Sequence, residues 1–117
     1  MRAAPLLVLL SSLAIAGCPV EVPAELDDCA DGTSLTFTDA SAVFDQYCTH
    51  CHSSALASAT ERQSATLGWD YDTAAAAQRD PDETWRRIYT ENMPNDAEMD
   101  DSSKLVLHEW YSCGAPE

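Results

Sequence analysis

The sequence predicts an all-α domain. Apolar residues recur three and four positions apart, in Val43, Phe44 and Tyr47 and again in Trp85, Ile88 and Tyr89, which gathers each set on one helical face. Helix punctuation surrounds these runs: Asp80, Pro81 and Glu83 supply an N-cap, an N1 proline and an N3 glutamate, and Gly114 with Pro116 closes the final segment. No strand alternation, internal repeat or nucleotide-binding glycine loop appears in the 117 residues.

The chain opens on an export signal, residues 1–17. Arg2 supplies the positive charge, Leu6 to Leu10 with Leu13 and Ile15 form the apolar stretch, and the small residues Ala16 and Gly17 precede Cys18. The stretch is too short, and too closely followed by polar sequence, to be a stable membrane span. Ile15-Ala16-Gly17-Cys18 resembles the lipobox of bacterial lipoproteins. In that family the cysteine thiol is acylated, the peptide is cut before it and the new amino terminus is acylated in turn. The resemblance implies a lipid on Cys18 and a domain held on a bacterial membrane, in the periplasm or at the cell surface. Several acyl chains on one residue exceed the two signals that stable anchoring needs. The alternative is an ordinary secretory signal with Cys18 an incidental thiol.

Residues 18–37, with Pro19, Pro23, Gly32 and the acids at Asp27 and Asp28, read as a lipid anchor and tether followed by a short lead-in, where Leu35 and Phe37 could strap onto the domain. The domain proper is expected over residues 38–113, about 100 residues or fewer being one small unit. Its first helix should start at Thr38 or Asp39, either a suitable N-cap, and run through Tyr47. Residues 53–68 are rich in Ser, Ala and Thr and read as a loop that could contain helical turns. A short helix over residues 73–77 would be capped by Asp70 or Asp72. The Pro81 helix stops before Met93-Pro94, residues 95–101 form an acidic loop, and the last helix runs from Ser102 or Ser103 to Cys113. Residues 114–117 are a tail.

The most informative motif is Cys48-Thr49-His50-Cys51-His52, the C-x-x-C-H pattern of covalent c-type haem attachment. Two thiols three positions apart on a helical turn can each add to one vinyl group of the same porphyrin. The imidazole directly after the second thiol then reaches the iron, for which a neutral ring nitrogen is a good axial ligand. One covalent haem c on Cys48 and Cys51, with His52 on the iron, is the expected cofactor.

A second axial ligand would come best from Met93, which follows a helix and is pinned by Pro94; its soft thioether favours ferrous iron. Its bland reading is a core methionine, and Met99 is the runner-up. His50, between the two thiols, should face solvent or the haem rim. His108 lies about 160° around its helix from Trp110 at about 100° per residue, so it should face water. Trp85 and Trp110 read as core aromatics, while Trp69 and Tyr71 could line the haem pocket. Arg86 and Arg87 could neutralise haem propionates or simply form a solvated helix face.

Of the five cysteines, Cys18 is assigned to lipid and Cys48 and Cys51 to haem, leaving Cys29 and Cys113 at the two ends of the domain. Outside the cytoplasm two spare thiols usually pair, so a disulfide is expected, with two buried free thiols as the alternative.

On these residues the chain resembles class I c-type cytochromes over about residues 38–113. Phe44, four residues before Cys48, matches the family's first-helix aromatic; Cys48, Cys51 and His52 match the haem motif. Met93-Pro94 matches the axial methionine and its proline, and Leu107 with Trp110 matches the apolar–aromatic pair of the terminal helix. The resemblance implies a small cytochrome c-like helical fold in which the first and last helices cross at these aromatics. Ala40 departs from the glycine many members carry at that crossing, and the stretch between His52 and Met93 is short.

The chain has 20 acidic and 6 basic residues and a formal charge of −14; cleavage before Cys18 would remove Arg2 and no acid. Such a balance repels nucleic acid and favours basic partners, although it also serves solubility. No nucleophile–base pair or carboxylate dyad is evident, so the chain reads as a non-enzymatic electron carrier that docks redox proteins. Two alternatives stand beside it: a haem-based ligand binder or sensor with an open or labile sixth site, and a structural lipoprotein binding zinc through Cys48, Cys51 and His52, for which no fourth ligand is evident.

Overall fold

The computed structural model describes residues 17–117, so all of the expected signal segment, residues 1–17, except Gly17 lies outside the described residues. These fold as four helices with no strand: α1 (Phe37–Tyr47), α2 (Ala74–Ala77), α3 (Pro81–Tyr89) and α4 (Asp101–Ser112). None of the described helices is long and apolar enough to cross a membrane.

Helix α1 is capped two or three residues earlier than the expected Thr38 or Asp39. Thr36 is the N-cap, and Asp39 accepts from the Thr36 backbone N–H at 2.8 Å. Asp39 is therefore the N3 partner of the cap, a role the sequence allows equally well. The helix buries Ala40, Val43, Phe44 and Tyr47, spaced three and four positions apart along a single stripe.

The cap of α2 also differs from expectation. Thr73 accepts from the Ala76 N–H, while Asp70 and Asp72 turn to other segments, Asp70 to Arg62 and Asp72 to Ser54. In α3 the expected punctuation is in place: Asp80 accepts from the Glu83 N–H at 3.0 Å and Pro81 opens the helix. Side-chain caps of this kind are worth about 1 kcal/mol each.

Helix α4 begins at Asp101, just before the expected serines, because Asp100 is the better cap. Its carboxylate accepts from the Ser102 hydroxyl, the Ser103 N–H and hydroxyl, and the Tyr47 hydroxyl at 2.8 Å. These donors hold the Asp100 carboxyl well below the usual carboxylate range, the Ser102 hydroxyl contributing most. The Tyr47 bond also ties the end of α1 to the start of α4.

Helices α1 and α4 pack through aromatic side chains. The Phe44 ring meets Trp110 edge-on with centroids 5.8 Å apart, and Ala40, Leu107 and Trp110 are fully buried beside it. Tyr111 donates to the Ala77 carbonyl at 2.8 Å, drawing α2 onto α4.

His108 departs from the sequence expectation: it is 5 % exposed rather than solvent-facing. Trp85 of α3 lies against its ring at 5.0 Å, and its Nε2 is 2.8 Å from the Glu25 carbonyl. A single-face reading of α4 fails because two elements cover it, α1 on one side and α3 with the lead-in on the other. That lead-in packs from Val22 onward: Val22, Leu26, Leu35 and Phe37 rest on the core, and Asp27 donates its N–H to the Ser112 hydroxyl.

Cys29 and Cys113 are joined by a disulfide with Cα atoms 5.0 Å apart across 84 positions, fastening the lead-in to the end of α4. Replacing both with serine should lower unfolding free energy by about 4 kcal/mol in the chain-entropy model, read from urea midpoints. Peptide mapping under non-reducing conditions should recover the linked pair; free thiols at both positions would refute it.

Asp100→Ala should lower the urea midpoint at pH 7, since α4 loses its cap and Tyr47 its partner. Because the folded carboxyl is shifted down, its contribution is fully present above the unfolded value of about 3.9 and is lost as pH falls below it. The gap between wild type and variant should therefore narrow at pH 3.

Candidate functional site

The helical hydrogen-bond pattern runs past the end of α1 into the cysteine motif. The Cys48 N–H reaches the Phe44 carbonyl at 2.7 Å and the His52 N–H reaches the Cys48 carbonyl at 2.8 Å. Cys48, Cys51 and His52 thus follow one another at helical spacing of three and four, which brings both thiols and the imidazole to one side.

That side lines a cavity of about 410 Å³, to which Met93, Trp69, Tyr71 and Ile88 also contribute. The volume falls in the range of sites for cofactor-sized molecules, about 300–1,000 Å³. Residues 63–66 form another part of its wall, and Asn95 and Asp96 lie along it beyond Pro94.

The imidazole of His52 is held in one tautomer. Its Nδ1 stands 2.6 Å from the Trp69 carbonyl, which can only accept, so Nδ1 carries the proton and Nε2 keeps the lone pair in the neutral ring. The Tyr71 N–H returns to the His52 carbonyl at 3.0 Å, pinning the same backbone from the other direction. Tyr71 also sets its ring edge-on to His52 at 5.6 Å, stacks on Phe44 at 5.0 Å, and bonds Thr84 of α3 through its hydroxyl. A ring nitrogen oriented by a carbonyl on its other nitrogen is the arrangement metal-bound histidines adopt.

The two thiols stay protonated at neutral pH. Burial pushes the Cys48 thiol up to about 12, with the Asp96 carboxylate and Cys51 adding to it, and Cys51 is raised for the same first two reasons. Asp96 also accepts from His50 Nε2 at 2.7 Å, an exposed contact linking the motif to the chain beyond Pro94. His50 is solvent-exposed on the cavity wall.

Met93 is placed by the end of α3. Its N–H and that of Asn92 both reach the Arg87 carbonyl, at 3.1 and 2.9 Å, and the Arg87 side chain returns to Asn92 Oδ1. Met99 sits elsewhere: it is 4 % exposed in the hydrophobic core and absent from this cavity wall. The expected acidic loop therefore contains a buried anchor. Arg87 lines the cavity, paired with Glu83, whereas Arg86 pairs with the same carboxylate outside it.

Among the described residues, no three His, Cys, Asp or Glu side chains are arranged to hold a metal ion between them. Cys18 is exposed and unpaired. Trp85 and Trp110 are core residues as expected, Trp110 donating to the Pro116 carbonyl and Trp85 burying Nε1 without a partner. Sequence reasoning missed Thr84, which offers no signal of its own, and Arg62. The latter is 1 % exposed; its signal was its being the lone basic residue of the small, polar 53–68 stretch.

No model of a known protein family matches the chain, nor does any curated protein or solved structure.

Proposed function

We propose that this protein is a membrane-anchored monohaem c-type cytochrome of the class I kind, working as an electron carrier rather than an enzyme. The observation that carries the reading is His52: its Nδ1 is fixed on the Trp69 carbonyl in a cavity that Cys48, Cys51 and Met93 also line. A zinc site gains nothing from this arrangement, since it needs three or four converging ligands, whereas a haem asks the chain for one nitrogen, one sulfur and two thiols.

In this reading Cys48 and Cys51 would hold the haem covalently, each through a thioether to one of its two vinyl groups. His52 would hold the iron through Nε2, and its Nδ1–H bond to Trp69 raises the basicity of that nitrogen. Met93, held by the backbone at the end of α3, would offer its thioether sulfur to the iron. Tyr71, Ile88 and Trp69 lend apolar surface to the cavity wall. When bound, the haem supplies one-electron chemistry, and Met/His ligation sets a comparatively high potential. The acidic chain favours basic faces on redox partner proteins through short-lived contacts and disfavours nucleic acid.

The defining experiment is acid–acetone extraction followed by a visible spectrum: haem should stay with the polypeptide, and the ferric form should show a sulfur-to-iron charge-transfer band. Met93→Ala should abolish that band, lower the potential and let the reduced protein bind carbon monoxide. Met99→Leu, which preserves core volume, should leave the band intact; Met99→Ala is a poor control because emptying a buried site costs about 2–5 kcal/mol. Loss of the band with Met99→Leu alone would assign the wrong sulfur. A wild type that already binds carbon monoxide readily would favour the ligand binder or sensor.

The lipid belongs to the same proposal, with Cys18 carrying it and the protein exported. Mass spectrometry of the membrane fraction should find acyl mass on the peptide that begins at Cys18, and Cys18→Ser should lose it while keeping the haem spectrum. An unacylated wild type refutes the anchor without touching the haem.

A further inference from the structure

Arg62 is a buried cation with every side of its guanidinium occupied. Nη1 donates to the Ser53 carbonyl at 2.8 Å, Nε to the Ala65 carbonyl at 3.2 Å, and Nη2 to the Thr66 carbonyl at 3.0 Å and to Asp70 Oδ1 at 2.6 Å. Burying a charge is costly unless it is paired and hydrogen-bonded, and this one is both. Only a planar fork of donors can meet so many acceptors at once; an ammonium cannot.

Two of these partners have telling positions. Ser53 directly follows His52, and Asp70 directly follows Trp69, whose carbonyl accepts from His52 Nδ1. The guanidinium therefore ties together the residue after the imidazole and the residue after its acceptor. The Tyr71 N–H to His52 carbonyl bond and the Ser54 N–H to Asp72 bond at 3.1 Å extend the same seam. Arg62 itself does not line the cavity.

We infer that Arg62 is a positioning residue: it clamps residues 53 and 70 so that the Trp69 carbonyl stays on His52 Nδ1 and the ring keeps its orientation. The consequence for redox behaviour rests on the haem reading; the clamp does not. Loosening the carbonyl makes the imidazole a weaker donor, which destabilises the more Lewis-acidic ferric iron and raises the reduction potential.

The test uses hydrogen exchange by NMR on the purified protein, with the reduction potential measured beside it. In Arg62→Met the Tyr71 amide and the His52 Nδ1–H should exchange at least about tenfold faster, while Phe44 and Trp110 amides in α1 and α4 keep their protection. The potential should move upward. Unchanged exchange at both reporters overturns the inference, as does equal acceleration in α1 and α4, which would mean general destabilisation. Faster exchange with an unmoved potential upholds the clamp and overturns its stated consequence for the iron. Should the variant fail to accumulate, the wild type decides: Arg62 Nη protons and the Tyr71 amide should exchange as one unit, and independent rates refute the clamp. If the protein carries no covalent haem, the haem reading fails, and the same exchange rates still judge the clamp.

Discussion

The burial of Phe44 is the contact from which the rest of this molecule's geometry follows. Its ring is fully enclosed and lies within 5.0 to 6.2 Å of the rings of Tyr71, Trp110 and Tyr111. One side chain thus joins α1, α4 and the segment that leads into α2. Aromatic pairs of this kind add about 0.5–1.5 kcal/mol each beyond the area they bury. Because Cys48 begins just one turn after Phe44, fixing that ring also fixes where the cysteine motif emerges. Tyr71 then carries the position onward to His52, so the core and the cavity share a wall.

The segment between the motif and α2 has little apolar surface with which to hold itself. Order there comes from polar contacts: Arg62 at the centre, Asp72 on Ser54, and Arg79 donating to the Gly68 carbonyl while its guanidinium lies over the Trp69 ring at 4.6 Å. Such contacts are directional, so they set the angle of a carbonyl better than packing would. They also depend on every partner being present, because a buried cation that loses its acceptors is strongly unfavourable. An imidazole whose orientation depends on a backbone carbonyl is well served by this kind of support. In the proposed carrier, rigid ligands on both sides of the iron would keep structural change small as the charge alternates.

The lead-in is more than a spacer. Val22 and Leu26 rest on the core, the Glu25 carbonyl meets His108, Thr33 donates to Glu109, and the Cys29–Cys113 disulfide closes the arrangement. A lipid on Cys18 would therefore be followed by only a few residues of free chain before the packed region begins. The proposed carrier would sit close to its membrane, with its reach limited by residues 18–21 rather than by the whole stretch to Phe37.

Much of the fold was legible because its signals are local. The stripe of α1, the Asp80-Pro81-Glu83 start of α3 and the end of α4 depend on residues a few positions apart, and 3.6-residue periodicity makes such neighbours spatial neighbours. The cysteine motif is local for the same reason. What the sequence could not decide were contacts across long separations. Met93 and Met99 are alike as residues, and only the packing of α4 against α3 sends one to the cavity and the other to the core. Asp70 and Asp72 were plausible caps until Arg62 and Ser54 claimed them. His108 looked exposed because a helical wheel knows one buried face, whereas α4 is covered from two sides. Which acceptor turns the His52 ring was likewise invisible, since Trp69 is brought there by a loop whose path is set by tertiary contacts rather than by propensity. By itself the sequence determined the helices and the cysteine motif; the tertiary structure decided which side chains meet there, because burial and hydrogen-bond partners are properties of the packed chain.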